Sequence, residues 1–468
     1  MAPKRIVIVG NSAAGLSALE TVRRVDRDCS ISLVSKETGP AYSKVMTPHL
    51  ISGDTPDIFI RTMEYYRQMG AETLFGTEAV RLEDGRLVLE GGRTLSWDRL
   101  LLATGSSAAV PDIEGIHSNG VITTGAFTKG VFTNGAFTKG AFTKGAFTKG
   151  VFTKGAFTKG AFTKGVFTTG VFTLKTMEDA LRIREYVVGT GGRANGAKGA
   201  KRALLIGGGL VCLLVVRAFW KLGLELTIAV SSDRLLSRML DREASGIVRD
   251  RLEESGVKVH TATDIREILS KEGRVQAAVS RSGEEFPADI IIIAKGVRSN
   301  VGLARESGIP VSRGILVDQY MRTGRENVYA AGDAAESPDM LIRGKQTICA
   351  TWFEAVHQGE IAGYNMAGLK RPSMGSLKMN VMETMGVPIA SIGEIGGSGE
   401  TAETVVTRRN GVYRKLVLRD DRIVGAVLMG DVEDAGVIAT MIRRKLRLSS
   451  LGRINLKQRF RYAGVMRV

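Results

Sequence analysis

The sequence predicts an α/β fold: two separate units of strand, glycine turn and helix, then a C-terminal α+β domain, with a short-period repeat inserted between the units. Three observations predict it. Arg5–Val9 (RIVIV) runs into Gly10-Asn11-Ser12-Ala13-Ala14-Gly15, and apolar residues then recur at helical spacing at Leu16, Leu19 and Val22. The same pattern returns at residues 204–206, at Gly207-Gly208-Gly209 and at the helical pattern of residues 210–222. From Val121 to Gly170 the chain repeats every five residues.

The first unit has the chemistry of a dinucleotide site, so both units are read as Rossmann-like. Gly10 permits the tight turn, and the small Ser12 lets the backbone approach a pyrophosphate. Ala14 and Gly15 keep helix and sheet close, which leaves the helix N-terminus to stabilise phosphate charge. Glu37 lies just past the second strand pattern, residues 31–34, where a carboxylate can bind a ribose. Far downstream, Asn327-Val328-Tyr329-Ala330-Ala331-Gly332-Asp333 reads as a strand ending in Gly-Asp, with Asp333 free to accept hydrogen bonds from a polyol. Together these stretches read as an FAD site.

Composition excludes several classes. At 468 residues the chain is long enough for two to four domains, and 44% hydrophobic with 24% charged residues is ordinary for a globular protein. The net charge of +17 is not ordinary, although seven of the positive charges are lysines of the repeat. It suits an acidic partner and requires no nucleic acid. The only cysteines, Cys29, Cys212 and Cys349, are far apart, so no metal cluster and no CxxC pair is predicted, and a reducing cytoplasm fits. MAPKRIVIVG runs straight into a strand, and no signal peptide is read there. Residues 203–220 are the most apolar stretch, but three glycines and Arg217 interrupt it, so no membrane span is predicted.

Several further pieces fall in a fixed order. Ala103-Thr104-Gly105 follows Leu101-Leu102, the second glycine turn comes next, Ala294-Lys295-Gly296-Val297-Arg298 follows residues 290–293, and Gly332-Asp333 closes the set. This order resembles the pyridine-nucleotide disulfide oxidoreductase superfamily. Within it, the chain is most similar to the subgroup without a redox disulfide: rubredoxin or ferredoxin reductases, the flavin part of nitrite reductase, and NADH oxidases. The resemblance implies an FAD domain in two parts (1–120 and 289–371), an NAD(P) domain (171–288) and a C-terminal α+β domain (372–468) that borders the flavin and often forms a homodimer. It also implies that the segment from Gly39 to His49 passes beside the flavin ring. No cysteine stands near Val45, so thiol chemistry there is not expected. Lys44 is either a flavin or phosphate contact or a solvated lysine, and His49 is either flavin-proximal or structural.

The repeat suits neither regular element. Its phenylalanines would advance about 140° per copy around a helix, and an odd period flips them from face to face in a strand. Glycine at every fifth position weakens both. A small β-solenoid and a flexible surface insert remain, the second read as an expansion of the native GVFT at residues 170–173. After it, Thr176-Met177-Glu178-Asp179 reads as a capping box opening a helix over residues 180–188, and residues 189–201 form a glycine-rich basic linker.

The second unit departs from its relatives. Gly207, Gly209 and Leu210 keep the turn and helix start, and Gly296 persists. Cys212, however, stands where a third glycine is usual, Leu214 where many relatives have a glutamate, and Ser231 where an acid would hold the adenosine ribose. With no carboxylate at Ser231, and with Arg234 able to supply the opposite charge, NADPH becomes more acceptable than usual; the alternative is a degenerate site. A helix over residues 238–255 and a strand over 257–261 complete this unit, and the strand at residues 290–293 is read as returning the chain to the FAD domain.

Residues 351–359 resemble the helix start that faces the flavin in relatives, with His357 one turn in. In the last domain, strands are read at residues 389–392, 413–418 and 423–429, with a helix from Asp434. From Arg443 to Val468 there are nine Lys or Arg and no Asp or Glu. That run is either a solvated face or a docking surface for an acidic ferredoxin- or rubredoxin-type carrier. The function implied is an FAD-dependent NAD(P)H oxidoreductase passing electrons to such a carrier or to a redox partner subunit. The rivals are a flavin-binding scaffold or assembly subunit without nucleotide turnover, and an NADH oxidase.

Overall fold

The computed structural model describes residues 3–55, 57–117, 142–143, 146–147, 168–189, 199–396, 402–451 and 455–460. The first parallel sheet has the strand order Val328–Ala330, Arg99–Leu102, Arg5–Val9, Ser30–Ser35, Ala71–Phe75. Its central strands Arg5–Val9 and Arg99–Leu102 are near-continuous apolar runs because both faces are covered: Ile6, Val7 and Ile8 are successive residues, point to opposite faces, and are all buried. The helix Ala13–Val25 covers one face and crosses the helix Trp352–Met366 at close range. Glycine makes that crossing possible. A β-carbon at Gly359 would lie 2.2 Å from the Ala14 carbonyl oxygen, and one at Gly363 would lie 2.9 Å from that of Ala18.

The second parallel sheet runs Val171–Thr173, Ile290–Ile293, Arg202–Ile206, Glu225–Ala229, Lys258–His260. Its second member corrects the sequence reading, which returned the chain to the first unit at residue 289. Ile290–Ile293 pairs in parallel with both Val171–Thr173 and Arg202–Ile206. Four consecutive buried isoleucines need cover on both faces, and an inner position in a parallel sheet supplies it. The return comes after this strand, where Val297–Ser299 pairs antiparallel with Ser106–Ala108.

Helix boundaries follow capping. The helix Met177–Val188 is opened by the capping box read from the sequence, with Thr176 Oγ1 accepting from Asp179 N and the Asp179 carboxylate accepting from Thr176 N. The helix expected from residue 238 starts later, at Arg242–Glu254, because Asp241 is its N-cap. The C-terminal sheet is antiparallel, in the order Met379–Thr384, Val387–Gly393, Arg422–Met429, Val412–Arg419, Glu403–Arg409, and packs the helix Ala435–Arg443. The five-residue repeat lies outside the described residues, apart from one short antiparallel pair, Phe142–Thr143 with Ala146–Phe147, and residues 168–170.

Candidate functional site

Two glycine turns stand at the C-terminal ends of the two parallel sheets, and the same device shapes both. Gly10 has φ +117°, and a β-carbon there would lie 2.1 Å from the Ala103 carbonyl oxygen. Gly207 has φ +128°, and a β-carbon there would lie 2.3 Å from the Ala294 carbonyl oxygen. At Gly15 the β-carbon would meet the Gly10 carbonyl oxygen at 1.8 Å, so the helix starts directly on the turn. Neither Ser12 nor Gly209, the two N-caps, uses a side chain to cap its helix. The first amides of both helices are therefore available to an anion.

Tertiary contacts bring distant residues to the first turn. Gly332, at φ +75°, packs on Ala14 and carries Asp333 with it. Asp333 Oδ2 accepts from Ser106 Oγ at 2.6 Å and from Lys175 Nζ at 3.1 Å, while Ser299 Oγ donates to the Asp333 carbonyl at 2.5 Å. The buried Gln358 accepts from Gly332 N at 2.8 Å and ties that loop to the helix Trp352–Met366. Thr104 holds the two crossing strands together: its Oγ1 donates to the Asn300 carbonyl at 2.7 Å, and Asn300 Nδ2 returns a bond to the Thr104 carbonyl at 2.9 Å. Gly105, at φ +68°, accepts from Asn300 N beside them.

Glu37, read as a ribose ligand, belongs to a cluster of its own. Lys44 Nζ lies 2.6 Å from its Oε1, and the Tyr42 hydroxyl donates to its other oxygen. Burial, reinforced by the neighbouring Glu37 charge, pushes the Tyr42 hydroxyl far above the ordinary tyrosine range. Tyr42 stays protonated as the donor and also accepts from Met177 N at 3.0 Å. His49 is not brought to this cluster. Its Nδ1 lies 3.3 Å from Asp54 Oδ2, which also takes Lys221 Nζ at 2.7 Å, so it lies at the contact between Thr47–Ser52 and the second unit's helix Leu210–Lys221. His357 is half-buried within the helix Trp352–Met366.

At the second turn, Gly209 caps the helix Leu210–Lys221 and Gly296 has φ +90°. The residue pressed on the turn at the end of Glu225–Ala229 is Val230, whose Cγ2 would lie 2.8 Å from a β-carbon at Gly208. Ser231 follows it, exposed, and accepts from Lys295 Nζ at 3.2 Å. Arg234 folds onto its own loop, donating to the Ser237 and Leu240 carbonyls and pairing with Asp233. Cys212 is fully buried under the helix start, and burial raises its thiol far above the usual range. Cys349 is likewise pushed up to about 12 by burial, and all three cysteines are free and buried.

Sequence reasoning missed Lys175, Ser106, Ser299 and Gln358. Lys175 carried a signal, since VFTLK ends in lysine where every preceding copy ends in glycine. The other three are small or neutral polar residues that only the crossing of distant strands brings together.

The Pyridine nucleotide-disulphide oxidoreductase family model matches residues 4–359. The chain belongs to this family. The Rubredoxin NAD+ reductase C-terminal domain matches residues 379–446. Nitrite reductase [NAD(P)H] of Bacillus subtilis (strain 168) is 26% identical over 98% of this chain and 49% of its own length. NADH oxidase of Methanocaldococcus jannaschii is 28% identical over 86% of this chain and 78% of its own. The chain thus spans about half the length of the nitrite reductase it matches. Among solved structures, the covalent putidaredoxin reductase–putidaredoxin complex shares the fold, with a TM-score of 0.78, 21% identity and 98% coverage of each chain.

FAD and NAD(P)H are the cofactors of this family. The first turn fits FAD, because glycine at 10 and 15 lets the turn close against the Ala103 and Gly10 carbonyls and the helix amides behind it are uncapped. The second turn fits a dinucleotide pyrophosphate for the same reasons, while its ribose corner carries Val230 and Ser231 in place of a carboxylate. Among the described residues, no helix is long and apolar enough to cross a membrane.

Proposed function

We propose that the chain is an FAD-dependent oxidoreductase that accepts hydride from NADH or NADPH and passes electrons to a small acidic iron–sulfur or rubredoxin-type carrier, or to a redox partner subunit. One observation carries the reading: the paired turns at Gly10 and Gly207, each closed by the carbonyl of a neighbouring strand and each backed by an uncapped helix. FAD, when bound, supplies two-electron acceptance and one-electron release. The chain's own residues position and polarise. The amides at Ala13 and Ala14 offer partial positive charge to a pyrophosphate, and Glu37 and Asp333 offer carboxylate oxygens to hydroxyl groups. Lys44 and Lys175 hold those carboxylates in place. Gly207, Gly209, Leu210, Ser231 and Gly296 would line the nucleotide site of the second unit, and Ala103, Thr104 and Gly105 would close the first.

A carrier as acceptor is supported by charge at the start of the helix Trp352–Met366. Arg443, the first residue of the basic C-terminal run, stacks on the exposed ring of Phe353 with 5.1 Å from guanidinium carbon to ring centre. Arg443 itself lies 3.7 Å from the buried Glu354 carboxylate, so the field comes from the exposed Arg444, Lys445 and Arg447 that follow it, and a positive field beside an exposed aromatic raises the encounter rate with an acidic protein. Separately, the C-terminal antiparallel sheet is read as a homodimer surface, and the chain as cytoplasmic.

The altered second unit favours one competing reading, a flavin-binding scaffold, because Cys212, Leu214 and Ser231 stand where a glycine, a glutamate and a ribose-binding acid are expected. Anaerobic titration of the flavin-loaded protein with NADH and with NADPH separates the two. Bleaching of the visible flavin band by either nucleotide establishes hydride entry. Flavin that stays oxidised with both leaves the scaffold.

A further inference from the structure

We propose that Lys295 reads a nucleotide 2′-phosphate and makes NADPH the preferred donor at the second unit. The inference rests on the reading that this unit takes a pyridine nucleotide. Lys295 directly follows Ala294, the residue whose carbonyl closes the Gly207 turn. Its strand, Ile290–Ile293, lies on one side of Arg202–Ile206, and Glu225–Ala229 lies on the other. The Lys295 side chain nevertheless crosses the end of the middle strand, placing Nζ 3.2 Å from Ser231 Oγ and 2.8 Å from Asp264 Oδ1. The ammonium therefore stands on the far side of the glycine turn, at the strand end where an NADH-selective site presents a carboxylate to the ribose hydroxyls.

That strand end has no carboxylate of its own. Val230 is buried against Gly208, and Ser231 and Ser232 follow. The nearby acids are already shared. Asp264 takes Lys295 and Arg281, the latter at 2.9 Å, and Asp233 takes Arg234 at 2.9 Å and Arg242 at 2.5 Å. Each of these two carboxylates is thus shared by two cations, and a phosphate dianion at Ser231 would meet an ammonium whose one carboxylate partner is already shared. A ribose 2′-hydroxyl would meet Asp264 only by competing with two cations. The opposite assignment, with Asp264 as a ribose acceptor and NADH as donor, makes the opposite prediction.

The experiment measures calorimetric binding of 2′,5′-ADP and of 5′-AMP to the flavin-loaded protein, its Lys295→Gln variant and its Ser231→Asp variant, each checked for native circular dichroism. The expected result is 2′,5′-ADP binding about tenfold or more tighter than 5′-AMP, with the preference lost in Lys295→Gln and reversed in Ser231→Asp, as loss of one charge-assisted phosphate contact implies. Equal binding of the two ligands by the native protein overturns the inference and leaves the nucleotide reading standing. A preference that survives Lys295→Gln overturns the role of Lys295. Binding of neither ligand overturns both.

Discussion

Lys175 Nζ lies 3.1 Å from Asp333 Oδ2, joining the last residue of the final copy of the repeat, VFTLK, to the Gly-Asp pair that packs on the first glycine turn. Ser106 Oγ bonds both groups, at 2.7 and 2.6 Å. A lysine at the entry to the second unit thereby orients the carboxylate assigned to the first. Asp333→Ala should yield protein with little bound flavin, and Lys175→Ala should weaken retention only a few-fold, since a partly exposed pair contributes about 1 kcal/mol. Flavin-to-protein absorbance ratios after gel filtration measure both, and unchanged ratios in Asp333→Ala would remove this residue from the site.

The glycine cradle predicts a sharper effect. Gly10→Ala forces a β-carbon to 2.1 Å from the Ala103 carbonyl at a φ of +117° that alanine rarely adopts, so the turn has to move. It should cost at least about 2 kcal/mol and abolish flavin binding. Gly359→Ala meets the Ala14 carbonyl at 2.2 Å and should separate the two helices, lowering stability by a similar amount. Thermal melts with and without added FAD distinguish a lost ligand from a damaged core.

Arg414 and Asp434 form a buried pair at 2.7 Å, with side chains 7% and 3% exposed, at the start of the helix Ala435–Arg443. Arg414 also stacks on Phe460, and Asp434 accepts from Phe460 N. Arg414→Ala leaves a carboxylate buried and unpaired, which should cost about 3–5 kcal/mol. Urea unfolding of the single variants and of Arg414→Met with Asp434→Leu tests this, since the apolar double variant should recover much of the loss.

Acid sensitivity has two named contributors. The hydrogen bond from Arg5 holds Asp98 at about 2, and the hydrogen bond from Lys221 holds Asp54 at about 2. A depressed carboxylate stabilises the fold fully above its unfolded value near 4 and loses that contribution as pH falls through the folded value. Both side chains are about one-third exposed, so solvent screening leaves each at or below about 1 kcal/mol. Urea midpoints followed from pH 5 to pH 2 should fall less steeply in Asp98→Asn than in the native chain, and parallel curves would refute the assignment.

Local physics is what the sequence could express without its fold. Glycines at 10, 15 and 207 are legible because only glycine fits a turn against a strand carbonyl, and the apolar runs around them are legible because parallel strands are covered on both faces. The capping box at Thr176 is legible because its partners lie three residues apart. Which sheet a run joins is a different question. Four isoleucines at Ile290–Ile293 satisfy any buried strand, and pairing with Arg202–Ile206 decided their place. The contacts of Lys175, Ser106 and Ser299 with Asp333, and of Lys295 with Ser231, depend on side chains 34 to 227 residues apart meeting where strands cross. Propensity and periodicity act over a few residues and carry no record of such meetings, so the anchors of the candidate site emerged only from the packed chain.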